Sequence, residues 1–140
     1  MRFRMTFLAL ALSLLPLIAR AQVVQVVVDL SQQSMTVFLD EAHLYTWPVS
    51  TARRGKVTPV GTYSPQYLSA NHRSSLYNNA PMPWSVFFHG NYAIHGTTDV
   101  AKLGSPASAG CIRLHPDNAH LLFNLVKARP FEMTLITVMP

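Results

Sequence analysis

The sequence of 140 residues contains a single cysteine, Cys111. A chain with one thiol forms no internal disulfide, so a packed hydrophobic core alone must hold its fold together. Such a thiol is a buried apolar group, a link to another molecule or a reactive group. The residue type by itself favours burial, so the neighbours of Cys111 have to decide between these alternatives.

The first 21 residues have the three parts of a secretory signal peptide. Arg2 and Arg4 precede an apolar run, Phe7–Ile18, which is too short to span a membrane. Ala19–Ala21 fits the small-residue cleavage rule, so we predict a mature chain that begins at Gln22. An uncleaved amphipathic or core segment is the alternative.

Export would place the mature chain, one domain of residues 22–140, in the periplasm or cell envelope. No cysteine follows the apolar run to carry a lipid, and no second apolar stretch is long enough to cross a bilayer. We therefore expect no stable membrane anchor after cleavage. A domain of this length buries a core without the help of disulfides.

The formal net charge of +5 comes largely from the predicted signal peptide. The chain has 11 Lys and Arg against 6 Asp and Glu, and loss of Arg2, Arg4 and Arg20 leaves 8 against 6, or +2. So small an excess gives no argument for a nucleic-acid partner, and we expect none. The basic cluster Arg53–Lys56 is a solvated loop or a contact for an acidic extracellular polymer.

Apolar runs separated by turn residues predict strands in the first half of the mature chain. Val23–Leu30 is dense in valine, and Met35–Leu39 and Leu44–Thr51 follow after short turns. We expect the first two to form a hairpin and the third to extend it. Thr58–Tyr63 combines turn residues with a short strand entry.

A second hairpin and a last strand are predicted further along. Ser85–His89 and Tyr92–His95 flank Gly90–Asn91, a good hairpin turn, and Met133–Val138 is a closing strand. Tyr67–Pro83 has little periodicity and several Asn and Pro residues, which predicts a long irregular segment of the kind that often forms a binding lid.

Residues 116–129 have the pattern of one amphipathic helix. Pro116 and Asp117 suit a first turn, and Pro130 ends the segment. Apolar residues recur at helical spacing, at Ala119, Leu122, Phe123 and Val126. Many strands and one helix predict a mainly β fold, a sandwich or barrel-like sheet with one capping α-helix.

The neighbours of Cys111 favour a reactive thiol. Gly110 lets backbone approach closely and leaves the next amide free to point at an oxyanion. Ser108 can hold the loop by local hydrogen bonds. Arg113 can lower the thiol pKa or bind a carboxylate, although a surface cation is the simpler explanation of that residue.

Among six histidines, His95 is the strongest candidate for a catalytic base, because it ends an apolar strand before Gly96. His89, also followed by glycine, is a rival or a wall of the pocket. Surface or capping roles suit the remaining four, which are His43, His72, His115 and His120. A metal site is a weak alternative, because these residues lack the spacing of zinc ligands.

Ile94–Thr97 and Ser108–Leu114 together resemble the catalytic signature of the YkuD-type L,D-transpeptidases, a His-Gly-Thr turn followed by Ser/Thr-His-Gly-Cys-Ile/Val-Arg. Val49–Thr51 with Thr58–Tyr63 resembles the strand-loop-strand entry of that family, and Asp29–Val37 resembles its first hairpin. The resemblance covers nearly all of the mature chain. It differs at Ala109, where the family usually has a second histidine.

The resemblance implies a mostly β fold with one helix and a cysteine acyltransferase that acts on peptidoglycan stem peptides without a metal or organic cofactor. Cys111 would attack the carbonyl of the third stem residue and expel D-alanine, with His95 taking the thiol proton. The amides of Gly110 and Cys111 would hold the oxyanion. The acceptor stays open: a second stem peptide, which gives a 3→3 cross-link, a D-amino acid, an outer-membrane protein amine, or water.

Supporting and substrate-binding roles complete the predicted site. Ser108, Gly96 and Arg113 would support the nucleophile loop, and Arg113 would also bind substrate. The other candidate substrate-binding residues are His89, Trp84 and Tyr92. Two other functions stay open: a non-catalytic wall-binding module that has kept the fold, and an unrelated cysteine endopeptidase, which is weaker because such enzymes usually place the cysteine before the histidine.

Overall fold

The computed structural model describes Arg20 and residues 22–140 as a mostly β domain with two sheets and one α-helix. The strands in chain order are β1 Val24–Asp29, β2 Ser34–Leu39, β3 Ala42–Pro48, β4 Gly61–Tyr63, β5 Tyr67–Arg73, β6 Pro81–His89, β7 Tyr92–Gly96, β8 Ile112–Leu114 and β9 Thr134–Met139. The helix α1 is Pro116–Lys127, and short 3₁₀ turns are Val100–Lys102 and Phe131–Met133. The predicted signal peptide lies outside the described residues, apart from Arg20.

The first sheet has the strand order β3-β2-β1-β9-β4. β1 and β2 form an antiparallel hairpin and β3 adds to β2, as the sequence predicts. The last strand, β9, runs parallel to β1 and lies beside it. Val24, Val26 and Val28 alternate with less buried residues along β1, so one face of this sheet supplies the core.

The second sheet has the order β5-β6-β7-β8, with β6 and β7 antiparallel and β7 and β8 parallel. Ile94, Ile112 and Leu114 point into the core shared by both sheets and α1. The buried face of α1 consists of the four apolar residues that the helical spacing predicts. The predicted mainly β fold with one capping helix is confirmed.

The expectation of an irregular segment over residues 67–83 is wrong. These residues form β5, a turn over residues 74–80 and the first part of β6. Main-chain pairing between Tyr67 and Phe87, and between Arg73 and Pro81, makes them a hairpin despite their polar composition. The three-residue strand β8 was not predicted either. No helix among the described residues is long and apolar enough to cross a membrane.

Candidate active site

The parallel pairing of β7 with β8 brings the candidate nucleophile and base to one face of the second sheet. His95 pairs with Arg113, while Ile94 pairs with Ile112. Since paired side chains share a face and successive ones alternate, the two isoleucines point to the core and His95 and Arg113 point away from it. Cys111 is the residue immediately before β8. Because it stands two positions before Arg113, its side chain lies on the same face of the sheet as that of Arg113.

This face is the wall of a cavity of about 590 Å³. Cys111, His95 and Arg113 all line it, and so do the predicted candidates His89 and Tyr92. Further lining residues come from four connecting segments and include Arg53, Leu76, Tyr77, Ala80, Asn91, Thr97, Asp99 and Ala109. Among the described residues, no group of three or more His, Cys, Asp or Glu side chains could hold a metal ion.

The imidazole of His95 is held as a neutral proton acceptor. Its Nδ1 lies 2.7 Å from the carbonyl oxygen of Gly96, which can only accept, so Nδ1 carries the proton and Nε2 is free. Burial lowers the pKa of His95 to about 4, although the hydrogen bond to the Gly96 carbonyl acts to raise it. The nearby charges of Arg113 and His72 lower the pKa of His95 further.

Burial also raises the pKa of the Cys111 thiol, while the amide of Ala93 and the charge of Arg113 act to lower it. The Sγ atom lies 3.7 Å from the carbonyl oxygen of Asn91, to which it donates a weak hydrogen bond. The resting pair is therefore a thiol and a neutral imidazole. Proton transfer between them has to accompany attack on a substrate.

Close packing leaves room only for glycine at position 110. Gly110 has a φ of +142°, a conformation that other residues rarely adopt. A Cβ atom there would lie 2.6 Å from Cε1 of Tyr92 and 2.8 Å from the carbonyl oxygen of Val57. Tyr92 thus packs directly against the nucleophile loop, in addition to lining the cavity.

Ser108 is buried and holds the nucleophile loop through its hydroxyl group. The hydroxyl oxygen accepts the N–H of Gly110 at 3.0 Å and donates to the carbonyl oxygen of Cys111 at 2.6 Å. The Gly110 amide, expected to hold an oxyanion, is therefore already engaged. Among the described residues the Cys111 N–H has no acceptor.

Gly96 supports His95 in two ways. Its carbonyl oxygen fixes the imidazole, as described above. It is also buried, and a Cβ atom would come within 3.1 Å of both Pro116 and Pro83, so a side chain would force the strand out of place. Position 96 thus combines a backbone acceptor with tight packing.

His89 lies at the rim of the cavity, where its ring is exposed. The ring centroid lies 5.2 Å from that of Tyr63 and 6.2 Å from that of Tyr92. Ala109, where the sequence motif led us to expect a second histidine, lines the same cavity as His89.

Trp84, a predicted substrate-binding residue, does not line the cavity that holds Cys111. It packs on the helix, with its ring 4.1 Å from that of His120 and 5.4 Å from that of Phe123. Its φ of +58° interrupts the regular alternation of β6 and turns the side chain toward α1.

Several residues in or near the cavity were not named as site candidates from the sequence. Leu76 and Tyr77 are exposed at the tip of the β5–β6 turn. Arg53 is fixed at the rim because its amide donates to the carbonyl oxygen of Ser108 at 2.9 Å. His72 was assigned to the surface, yet its charge acts on His95. His72, Leu76 and Tyr77 fall in the segment 67–83 that was expected to form a lid. Arg53 belonged to the basic cluster, and its contact is with a segment 55 positions away.

Comparison with known proteins agrees with this geometry. The family model of the YkuD L,D-transpeptidase catalytic domain matches residues 24–136. YkuD of Bacillus subtilis strain 168, itself assigned to the L,D-transpeptidases, is 25% identical over 101 residues, which are 72% of this chain and 59% of that protein.

Solved structures share the fold. An L,D-transpeptidase from Mycobacterium tuberculosis H37Rv superimposes with a TM-score of 0.76 at 22% identity, over 85% of this chain and 58% of that one. One from Stackebrandtia nassauensis gives a TM-score of 0.72 at 24% identity, over 84% of this chain and 55% of that one. This chain spans about three fifths of the length of such relatives.

A two-sheet β domain with a thiol and a neutral imidazole facing one cavity defines a cysteine–histidine class of site. Within that class, this chain belongs to the YkuD family of L,D-transpeptidase catalytic domains. The resemblance that the sequence motifs indicate is thereby confirmed.

Proposed function

We propose that this protein is an L,D-transpeptidase that acts on peptidoglycan stem peptides through a cysteine acyl-enzyme. The observation that carries the proposal is the β7–β8 pairing, which puts Cys111 and His95 on one wall of a cavity in a member of this family. Export to the periplasm or cell envelope through residues 1–21 is part of the proposal.

In the first half-reaction, Sγ of Cys111 attacks the carbonyl carbon of the third stem residue, and Nε2 of His95 takes the thiol proton. The peptide C–N bond breaks, His95 returns the proton to the leaving nitrogen, and D-alanine departs. A thioester remains on Cys111. The low pKa of His95 makes its protonated form short-lived, which suits an acid that must give its proton back.

In the second half-reaction, an amine attacks the thioester carbonyl carbon and the C–S bond breaks. His95 accepts the proton that the amine loses, and the thiol of Cys111 is restored. A second stem peptide as acceptor gives a 3→3 cross-link. A D-amino acid, an outer-membrane protein amine or water are the other acceptors, and water makes the reaction a carboxypeptidase one.

Charge at the cavity favours a substrate with carboxylates. Arg113 and Arg53 both line it, and neither side chain has an ion-pair partner among the described residues. The one acidic lining residue, Asp99, is paired with Lys102 at 3.2 Å. Two free guanidinium groups suit the carboxylates of stem peptides, which arginine binds with paired hydrogen bonds.

The test is intact-protein mass after mixing residues 22–140 with a disaccharide-tetrapeptide, alongside Cys111→Ala. We expect a covalent adduct on the wild type alone, with D-alanine released, and the product mixture then identifies the acceptor. If neither adduct nor D-alanine forms while the protein is retained on purified sacculi, the non-catalytic binding module is the better description.

A second probe uses the chemistry of relatives. LD transpeptidase LdtMt1 was solved in complex with imipenem, and L,D-transpeptidase 3 of Mycobacterium tuberculosis with a faropenem-derived adduct. We expect imipenem to add to the wild type and not to Cys111→Ala. An adduct on both proteins would show that the modified atom is not Sγ of Cys111.

A further inference from the structure

Thr58 is a buried residue behind the nucleophile loop whose side chain bridges two segments of backbone. Its hydroxyl oxygen accepts the N–H of Ala52 at 3.0 Å, and its hydroxyl hydrogen is donated to the carbonyl oxygen of Gly110 at 2.8 Å. Thr58 does not line the cavity that holds Cys111. It lines a separate recess, together with Thr51 and Pro106.

Two hydroxyl groups together fix the backbone of the Gly110–Cys111 dipeptide. Ser108 holds the Gly110 N–H and the Cys111 carbonyl oxygen, and Thr58 holds the Gly110 carbonyl oxygen. Three of the four backbone polar groups of the dipeptide are thus engaged. The fourth, the Cys111 N–H, has no acceptor among the described residues.

Peptide planarity links the contact of Thr58 to that free amide. In a trans peptide the carbonyl oxygen of Gly110 and the N–H of Cys111 point in opposite directions, and the plane does not bend without cost. Because the Gly110 carbonyl oxygen points at the buried hydroxyl of Thr58, the Cys111 amide is directed away from Thr58.

We propose that Thr58 is a positioning residue that aims the Cys111 amide at the oxyanion of the acyl-transfer intermediate. The inference rests on the proposed function, since an oxyanion forms only if Cys111 attacks a carbonyl. Thr58 itself touches no substrate and acts through the 110–111 peptide. Fixed backbone donors of this kind stabilise the charge that develops on the carbonyl oxygen.

The test compares two reactions of the same thiol. Alkylation by iodoacetamide displaces iodide at a saturated carbon and forms no oxyanion, whereas acylation by the disaccharide-tetrapeptide does. Thr58→Val removes the hydroxyl with little change of shape, and Thr58→Ser retains it. Thr134→Val is the matched control, because Thr134 is a buried threonine of β9 whose hydroxyl has no partner.

For Thr58→Val we expect the acylation rate to fall by about tenfold to a hundredfold, with KM within about twofold and alkylation within about threefold of wild type. Thr58→Ser and Thr134→Val should acylate within about threefold of wild type. If Thr58→Val does not fold, Thr58→Ala, which leaves room for a water molecule, replaces it in the same assays.

Three results would overturn the inference. Equal loss of acylation and alkylation in Thr58→Val would indicate general disruption of the loop. Unchanged acylation would mean that the amide needs no help from Thr58. A wild type that alkylates but forms no acyl adduct would remove the proposed function itself, and that outcome is distinguishable because it appears before any variant is compared.

Discussion

The lowered pKa of His95 makes the free energy of unfolding depend on pH. Its pKa in the folded protein is about 4, below the ordinary value of 6.5. Between pH 4 and pH 6.5 the unfolded chain binds a proton at His95 more readily than the folded protein does. The stability that the neutral imidazole contributes is therefore complete above pH 6.5 and is lost as the pH falls toward 4. The loss amounts to roughly 3 kcal/mol over that range.

His95→Gln should therefore make the free energy of unfolding less dependent on pH below neutrality. From pH 7 to pH 4.5, we expect the free energy of unfolding of the wild type to fall by about 2 kcal/mol more than that of the variant. Urea denaturation at both pH values measures the difference. Parallel losses in the two proteins would mean that the imidazole is not held neutral by burial.

His89 is the candidate to replace the second histidine that the resemblance led us to expect at position 109. We expect His89→Ala to lower the acylation rate by about tenfold, because its ring shares the cavity wall with Ala109 and Cys111. His95→Ala should cost at least a further tenfold. Full activity of His89→Ala beside an inactive His95→Ala would exclude a role for His89 in the chemistry.

Gly110 and Gly55 form a matched pair of positive-φ glycines. At Gly110 an added Cβ meets Tyr92 and Val57, whereas at Gly55, with a φ of +83°, nothing lies within 4 Å. We expect Gly110→Ala to destabilise the protein by about 2 kcal/mol or more and to lower acylation at least a hundredfold. Gly55→Ala should cost about 1 kcal/mol through backbone strain and leave acylation unchanged.

Thermal denaturation and the intact-mass assay together check this pair. Equal effects of the two substitutions on activity would show that crowding by Tyr92 does not shape the nucleophile loop.

At the scale of single residues, the sequence motifs indicated Cys111 and His95, which line one cavity, but they contained no sign of Thr58. Cys111 and His95 stand in short motifs that chemistry alone makes conspicuous. Thr58 contacts Gly110 across 52 positions, and no local pattern encodes such a contact. The engagement of the Gly110 amide by Ser108 likewise depends on loop geometry.

Among the elements, strands with a clear apolar period were predicted, whereas β5 and β8, the two edge strands of the second sheet, were not. β1 alternates buried valines with less buried residues, whereas β5 is an edge strand of the second sheet with mostly polar residues. Its pairing partner β6 starts with prolines, which usually argue against a strand. β8 has three residues and exists because it pairs with β7.

Substitutions at Trp84 and Tyr77 distinguish the two parts of the β5–β6 hairpin. Trp84 lies in the part that packs on the helix, and Tyr77 lies at the tip that lines the cavity. Trp84→Ala should lower the free energy of unfolding by about 3 kcal/mol, because it removes the contact with His120 and Phe123, and should leave KM unchanged. Tyr77→Ala, exposed in the turn, should raise KM with a stability change within about 0.5 kcal/mol.

Denaturant unfolding and steady-state kinetics on both variants make the comparison. A Trp84 variant of wild-type stability with a raised KM would return that residue to the substrate-binding surface.

For the molecule as a whole, the fold class followed from counting strands and helices, while the division into two sheets did not. The parallel pairs β1–β9 and β7–β8 join segments that are far apart in the chain. Such pairings depend on how the whole core closes, which a reading of local periodicity does not contain. The β7–β8 pairing is also the one that brings His95 and Arg113 side by side in the site.

The position of β9 in the first sheet determines how late in synthesis that sheet can be completed. β9 lies between β1 and β4, so Val24 pairs with Leu39 on one side and has to wait for Thr134 on the other. The first sheet cannot be completed before residues 134–139 have been synthesised, and contacts of such long range form slowly. Late completion of this sheet is compatible with the export that we propose for residues 1–21, because a chain has to be unfolded to pass through a narrow secretion channel.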